Sequence, residues 1–139
     1  NNEFSVLDQE QSSIFWEKTR KLKVFTSIQE SLLRVVVPVS ETFEVMQQLK
    51  KYEINYFLDW GGSLIWLQID KITTKILNEI KKIIQGATGY LTVIKVEEDM
   101  KAAIDIFTVD PIKYKISEKI KKSFDPKRIL NPGKMYSGI

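Results

Sequence analysis

Short apolar segments with a strand-like pattern recur along the middle of the chain. The first consists largely of β-branched residues and ends at Pro38, which predicts a buried strand. The second and third are separated by Gly61-Gly62, which predicts a hairpin closed by a Gly-Gly turn. The four predicted strands are residues 32–37, 54–60, 63–69 and 88–96.

Around these segments the apolar residues follow the 3.6-residue period of a helix. Ser40 is predicted to cap the second helix and Asp70 the third, and Gly86 is placed at the C′ position that follows the third helix. Asp125-Pro126 is predicted to end the last helix, because the residue before a proline avoids helical backbone angles. Residues 97–109 follow neither period. The predicted helices are residues 6–21, 41–51, 72–83 and 111–124.

The order of these elements along the middle of the chain is β-α-β-β-α-β, which is typical of a ferredoxin-like sandwich. We therefore expect an α+β fold in which residues 30–96, approximately, form an antiparallel sheet with helices on one face. An N-terminal helix precedes this core, and a C-terminal helix and tail follow it at residues 110–139. The second face of the sheet is then available to a partner or a ligand.

The composition fits a single domain over residues 1–139 and excludes several kinds of site. The chain is 43% hydrophobic and contains neither cysteine nor histidine. The usual general base at neutral pH is therefore missing, as are the thiolate and imidazole ligands that zinc prefers. We expect no metal site and no catalytic residue in this chain, which argues against a self-contained hydrolase or metalloenzyme. No apolar run is long enough for a membrane span.

An excess of lysine gives the chain a formal net charge of +3. Most of these lysines lie in predicted helices, which favours solvated helix faces over a nucleic-acid footprint. An alternative hypothesis is a stand-alone ferredoxin-like binding module for RNA or for a regulatory small molecule. The chain lacks the Lys/Arg-Gly-Phe type of strand motif that RNA-binding versions of the fold carry.

The segment at residues 124–136, FDPKRILNPGKMY, is unusually rigid and apolar for a chain end, so we expect it to dock on another surface. Within it, Asn131-Pro132-Gly133-Lys134 predicts a tight turn in which glycine permits a positive φ. The Asn131 amide and the Lys134 ammonium would then project from a fixed backbone, where they suit a phosphate or the polar edge of a flavin ring. The alternative is an ordinary Asn-Pro-Gly turn.

Arg34, in the first predicted strand, is the best candidate for binding an anion. A guanidinium can hold a carboxylate through two parallel hydrogen bonds. The alternative is an ion pair at the sheet edge with Asp59 or a glutamate. Trp60 and Trp66 flank the predicted hairpin turn and are expected to pack in the core or at a domain interface.

Two parts of the chain resemble FAD-linked oxidases of the vanillyl-alcohol oxidase/D-lactate dehydrogenase type. The tail is similar to the Asp-Pro-x-x-(Ile/Leu/Met)-x-Asn-Pro-Gly-Lys pattern with which those chains typically end. Residues 33–38 and the hairpin at residues 58–62 resemble the E-type FAD-binding subunits of glycolate oxidase. Asn131, Pro132, Gly133, Met135 and Tyr136 match the end of those subunits, with Lys134 in place of the common arginine.

The resemblance, which spans about residues 30–136, implies the C-terminal cap domain of an FAD-dependent 2-hydroxy acid oxidoreductase. It implies that an N-terminal FAD-binding domain, absent from this chain, carries the Gly-rich loop for the FAD pyrophosphate. The partners that it implies are this domain, other glycolate oxidase-type subunits and a small 2-hydroxy acid, in the cytoplasm or at the inner membrane through partner subunits.

The resemblance also implies roles for individual residues. In this context Asn131, Gly133 and Lys134 are expected to contact the cofactor, and Arg34, chosen for its guanidinium chemistry and not from the resemblance, is expected to contact the substrate. The catalytic subunits of related dehydrogenases use histidines on the cap, and this chain has none. We therefore expect the isolated chain to be inactive and not to retain FAD.

Overall fold

Four strands form one antiparallel sheet in the computed structural model, which describes residues 5–25, 31–101, 103–134, 136 and 139. The strands are β1 (Ser31–Val36), β2 (Ile54–Asp59), β3 (Leu64–Ile69) and β4 (Tyr90–Lys95). Their order across the sheet is β2-β3-β1-β4, and every pairing is antiparallel. The predicted α+β, ferredoxin-like arrangement is confirmed, and the strand limits differ from the predicted ones by one or two residues.

The helices are α1 (Gln9–Arg20), α2 (Val39–Leu49), α3 (Thr74–Gly86), α4 (Glu98–Lys101) and α5 (Pro111–Phe124). α2 and α3 cover one face of the sheet, where alternate residues of the central strands point into the core. The fully buried side chains of this core come from both layers. They are Leu33, Val35, Ile65, Leu67 and Leu91 of the strands and Val45, Leu49, Leu77, Ile80 and Ile84 of the helices.

The two predicted N-caps in this core are wrong. α2 begins at Val39, directly after a proline in extended conformation, so Ser40 lies within the first turn. α3 is capped by Thr73 and not by Asp70, because Thr73 directly precedes the first helical residue. The Thr73 hydroxyl accepts a hydrogen bond from the backbone N–H of Ile76 at 3.2 Å.

The connection from α3 to β4 also differs from the prediction. Gly86 is the last residue of α3, and the left-handed backbone conformation occurs at Thr88, with φ 54°. Gly89 is the glycine that packing requires: a Cβ there would lie 2.7 Å from the carbonyl oxygen of Val36 and 2.9 Å from a methyl group of Ile84. The close approach of β1 to this turn leaves no room for a side chain.

Residues 97–109, for which no element is predicted, contain α4 and a short extended piece beside β4. Thr92 of β4 and Phe107 form an antiparallel bridge. The backbone N–H of Val93 donates to the carbonyl of Ile106 at 2.7 Å. The extended piece therefore satisfies part of the outer edge of the sheet and leads the chain into α5.

Neither α1 nor α5 contains a fully buried residue. α5 begins as predicted after Asp110, whose carboxylate accepts hydrogen bonds from the N–H groups of Ile112 at 2.8 Å and Lys113 at 3.1 Å. These bonds lower the pKa of Asp110 because they favour its charged form. Within the described ranges, no helix has the length and apolar character needed to cross a membrane.

Candidate functional site

The segment that follows α5 is folded around the carboxylate of Asp125, a residue that is only 8% exposed. Its two oxygens accept hydrogen bonds from the backbone N–H groups of Ile129 at 3.0 Å and Leu130 at 2.9 Å. The ammonium of Lys121 lies 2.8 Å from the same carboxylate and also donates to the carbonyl of Leu130. The ammonium and, after it, the backbone N–H groups lower the pKa of Asp125 to about 2.

Sequence reasoning missed this role of Asp125, since it used the residue only to end the helix. One signal was available in the sequence. Lys121 precedes Asp125 by one helical turn, and side chains at this spacing are neighbours on a helix surface. The two backbone contacts could not be inferred, because they depend on how the loop after the helix turns back.

The predicted tight turn at Asn131-Pro132-Gly133-Lys134 is confirmed. Asn131 and Gly133 have positive φ values of 44° and 68°. The backbone N–H of Lys134 donates to the carbonyl of Asn131 at 3.2 Å, and that of Gly133 donates to the carbonyl of Ile139 at 2.7 Å. A Cβ at Gly133 would meet no atom within 4 Å, so glycine serves the backbone conformation here and not close packing.

The tail docks partly on its own chain. Tyr136 is 6% exposed, and its ring centroid lies 6.2 Å from that of Phe107 and 5.6 Å from that of Tyr114. Phe124 is 85% exposed, and Ile129 and Leu130 are also exposed. One end of the tail is therefore packed, whereas its first half presents apolar side chains outward. Met135, part of the predicted motif, lies outside the described residues.

Two cavities adjoin the turn. The first, of about 310 Å³, is lined by the end of β4, the loop that follows it, and Pro132, Gly133 and Lys134. The second, of about 570 Å³, is lined by Lys121, Leu130, Asn131, Lys134 and Ile139. Lys134 lines both cavities, and its ammonium has no side-chain partner among the described residues.

The three residues predicted to contact FAD are thus brought together around one turn. The chemistry of this turn fits a contact with a phosphate or with a carbonyl edge, because an ammonium and an amide are hydrogen-bond donors. It does not form the succession of backbone N–H groups in a Gly-rich loop that would cradle a pyrophosphate. The described residues of the turn therefore offer donors for one such contact and not a complete pyrophosphate site.

Arg34 lies on the face of the sheet opposite α2 and α3. Its strand neighbours Leu33 and Val35 point into the core, so Arg34 points to the other side. Its Cα partners are Trp66 on β3 and Thr92 on β4. The guanidinium lies 5.3 Å from the ring centroid of Trp60, a cation–π distance.

The ion pair between Arg34 and Asp59, the alternative considered from sequence, is absent. The Asp59 carboxylate instead accepts a hydrogen bond from the backbone N–H of Trp60 at 2.7 Å. No other carboxylate of the described residues pairs with Arg34. Trp60 is exposed and Trp66 is half-buried, so neither belongs to the fully buried core.

The cavity beside Arg34, of about 280 Å³, shares no lining residue with the two cavities at the turn. The structure therefore separates Arg34 from the predicted cofactor contacts. Sequence reasoning did not connect α1 with Arg34, because nothing in either local pattern indicates that the end of this helix borders the open face of the sheet. The residues of the cavity lining that come from α1 and the turn after it are Trp16, Thr19, Arg20 and Leu22.

α5 presents a continuous apolar row to the outside. Its members recur every four residues, as the sequence pattern predicts for one helix face. All four are exposed, with Ile112 at 71% and Phe124 at 85%. The four helix residues of this row are Ile112, Ile116, Ile120 and Phe124. We use the name α5 row for these four residues together with Ile129 and Leu130.

Comparison with known proteins gives two matches. Residues 106–135 match the family model described as the C-terminal domain of FAD linked oxidases. Over 132 residues the chain is 27% identical to glycolate oxidase subunit GlcE of Escherichia coli strain K12, a match that covers 94% of this chain and 33% of that protein. The chain thus spans one third of the length of that curated relative. No solved structure matches the chain significantly.

The family match runs from the extended piece beside β4, through α5, to the tail turn. It therefore covers the α5 row and the residues clamped by Asp125. Neither match favours the alternative of a stand-alone RNA-binding module. The two matches and the tail motif together support the assignment of this chain as a C-terminal domain of an FAD-linked oxidase.

Proposed function

We propose that this chain is the cap domain of an FAD-dependent oxidoreductase acting on small 2-hydroxy acids, with glycolate oxidase as a functional model. In such an enzyme bound FAD would supply the two-electron oxidant: the α-carbon would lose a hydride to the flavin and the hydroxyl group would lose its proton to solvent, which gives the 2-oxo acid. The observation that carries the proposal is the coincidence of the family match with the exposed α5 row and tail turn. The cap would cover a flavin-binding domain of the same protein and form part of the interface with substrate and other subunits.

The α5 row supports the part of this proposal in which the chain packs on a flavin-binding domain. Single exposed apolar side chains are common on soluble proteins, but a continuous row along a helix and the following loop marks a surface for a partner. Lysines flank the row within α5, among them Lys115, Lys119 and Lys122. An apolar centre with a charged rim is typical of protein interfaces. The curated relative is about three times as long as this chain. A protein of that length has room for another domain, which could cover the row.

The tail turn supports the part of this proposal in which the chain contacts the cofactor. Lys134 and Asn131 would donate hydrogen bonds to the cofactor, and Gly133 would keep the backbone in the conformation that holds them. The Asp125–Lys121 pair positions the loop from which the turn continues. The residues of this chain would therefore orient and shield the reacting groups, and no proton transfer is assigned to them. Arg34 would bind the carboxylate of the acid.

The location proposed for the whole protein is the cytoplasm, or the inner membrane surface through partner subunits. This part of the proposal rests on the likeness to a glycolate oxidase subunit. Co-purification of the full-length protein from membranes, and its release when a partner subunit is deleted, would support peripheral attachment.

Flavin retention tests whether FAD is held by another domain and not by residues 1–139 alone. The chain of residues 1–139 and a longer protein that includes the flavin-binding domain are purified by gel filtration, and visible absorbance is measured. We expect the short chain to be colourless and the longer protein to retain FAD. Tight flavin binding by residues 1–139 alone would contradict the cap role. A longer protein that binds no flavin would contradict the oxidase assignment.

Substitution of Lys134 tests the cofactor contact within the longer protein. Lys134→Ala should lower flavin content or the rate of 2-hydroxy acid oxidation. Lys127→Ala is the matched control, because Lys127 is an exposed lysine of the same loop that lines neither cavity at the turn. Unchanged flavin content and rate in Lys134→Ala would remove Lys134 from the site.

A further inference from the structure

All three tryptophans of the chain, Trp16, Trp60 and Trp66, line the cavity beside Arg34. They come from three different elements: α1, the turn after β2, and β3. We call this space the tryptophan cavity. Its volume of about 280 Å³ lies close to the lower end of the range found for small-molecule sites. Its other lining residues are Thr19, Arg20, Leu22, Arg34, Asp59 and Leu64.

The guanidinium of Arg34 is oriented but not neutralised. Its central carbon lies over the indole of Trp60, 5.3 Å from the ring centroid, a contact that uses none of its five N–H donors in a hydrogen bond. Those donors make no hydrogen bond to a described residue, and none of its nitrogens is buried without a partner. A guanidinium on a half-buried residue, held beside an indole and with unused donors, is suited to bidentate binding of a carboxylate.

The charges around the cavity favour an anion. Arg20 and Arg34 contribute two positive charges and Asp59 contributes one negative charge. The Asp59 carboxylate is engaged by the backbone N–H of Trp60 at 2.7 Å, which holds it at the turn and away from an ion pair with Arg34. The lining therefore carries a net charge of about +1 beside three aromatic walls.

The backbone at Trp60 adds a second indication of function. Trp60 has a φ of 52°, in the left-handed region that bulky residues rarely adopt. Such strained conformations cluster at binding sites, where the surrounding structure maintains them. Here the Asp59 hydrogen bond and the following Gly61-Gly62 turn hold the backbone, and the result is an indole ring placed over Arg34.

We infer that the tryptophan cavity binds a small monocarboxylate with an apolar or aromatic body. Its carboxylate would contact Arg34, and its body would lie against the indole rings. Glycolate has no apolar body with which to fill such a cavity, so the geometry favours an aryl or branched-chain acid. The inference rests on the proposed function where it identifies this acid as the substrate, but binding itself requires no flavin.

Indole N–H resonances provide the test, because the three signals of ¹⁵N-labelled residues 1–139 all come from the cavity. The chain is titrated with 3-phenyllactate, with 3-phenyl-1,2-propanediol, which lacks the carboxylate, and with glycolate, which lacks the phenyl group. We expect saturable shifts with 3-phenyllactate and binding at least about tenfold weaker with the other two. Equal shifts with the diol, or no shift with 3-phenyllactate at millimolar concentration, would overturn the inference.

Variants locate the carboxylate contact. Arg34→Gln should weaken 3-phenyllactate binding at least about tenfold, and Arg34→Lys should weaken it less, since lysine keeps the charge without the planar fork. Lys113→Gln is the control, because Lys113 makes the same kind of contact elsewhere, 4.0 Å from the ring centroid of Tyr90. Undiminished binding in a folded Arg34→Gln protein would overturn the inference. The assay contains no flavin, so its failure would leave the flavin-retention result of the proposed function unaffected.

Discussion

The ammonium of Lys121 lies 2.8 Å from the carboxylate of Asp125, and this pair closes the loop that leads to the C-terminal turn. Both side chains are largely buried, unlike most ion pairs on protein surfaces. The carboxylate also accepts two backbone hydrogen bonds, from Ile129 and Leu130. One acidic group therefore links the end of α5 to the start of the turn that carries Asn131 and Lys134.

Acidification should loosen this loop. The pKa of Asp125 is lowered from its ordinary 3.8 to about 2 in the folded chain, so the charged carboxylate stabilises the fold above about pH 4. That contribution is lost as the pH falls from about 4 towards 2, because protonation then removes the acceptor. We expect the urea midpoint to fall in this window for the parent chain and to change less for Asp125→Asn. At neutral pH, trypsin should cleave Asp125→Asn faster at Lys127.

Asp70→Asn is the control for this experiment, since Asp70 is exposed and caps no helix. It should keep the pH dependence and the trypsin resistance of the parent chain. Equal trypsin sensitivity of Asp125→Asn and the parent chain would show that the carboxylate does not hold the loop.

Two glycines at the end of α3 should respond in opposite directions to alanine. Gly89→Ala places a methyl group 2.7 Å from the carbonyl oxygen of Val36 and should lower the free energy of unfolding by about 1–3 kcal/mol. Gly86→Ala meets no atom within 4 Å in a helical position and should raise it by up to about 1 kcal/mol. Urea denaturation measures both. A neutral Gly89→Ala would mean that β1 can move away at little cost.

The start of α3 should depend on Thr73. Thr73→Ala removes the hydroxyl that accepts the N–H of Ile76 and should lower the free energy of unfolding by about 1 kcal/mol. Asp70→Ala should change it by less than about 0.5 kcal/mol, as is usual for exposed surface positions. A larger loss of unfolding free energy in Asp70→Ala than in Thr73→Ala would show that Asp70 caps α3, as predicted from the sequence.

The α5 row should bind apolar probes in the isolated chain and a domain in the longer protein. Ile120→Lys introduces a charge into the row and should reduce the fluorescence of a bound apolar dye. In the longer protein it should weaken packing on the flavin-binding domain and lower flavin content. Glu118→Lys is the control, because Glu118 is an exposed residue of α5 that lies two positions before Ile120 and therefore on a different side of the helix. Identical behaviour of the two variants in both assays would argue against the row as an interface.

The sequence predicted the regular elements well because their information is local. A period of two residues in the strands and of about 3.6 residues in the helices follows directly from which side chains face the core. The Gly61-Gly62 hairpin, the start of the last helix at Pro111 and the tail turn were predicted for the same reason, since each depends on a few consecutive residues. The errors at Ser40, Asp70 and Gly86 concern element ends, where neighbouring residues compete for one backbone role.

The residues of the candidate site also differ in how far the local sequence predicts them. Asn131, Gly133 and Lys134 could be grouped from sequence, because one turn contains them. The sequence could also name Arg34 as an anion-binding candidate, but it could not choose between that role and an ion pair with Asp59. Only the fold places Trp60 over Arg34 and brings Trp16 to the same cavity.

The sequence by itself determined the family resemblance, the α+β fold and the residues of the tail turn, since these follow from local spacing and from a contiguous motif. The tertiary structure decided which side chains meet. It held Asp125 within a loop, buried Tyr136 against Phe107, left the α5 row exposed, and separated Arg34 from the turn. The physical reason is that these outcomes depend on how the chain packs in three dimensions: Tyr136 and Phe107, or Arg34 and Trp60, lie far apart in the sequence, and the contacts of Asp125 depend on the path of the loop after α5.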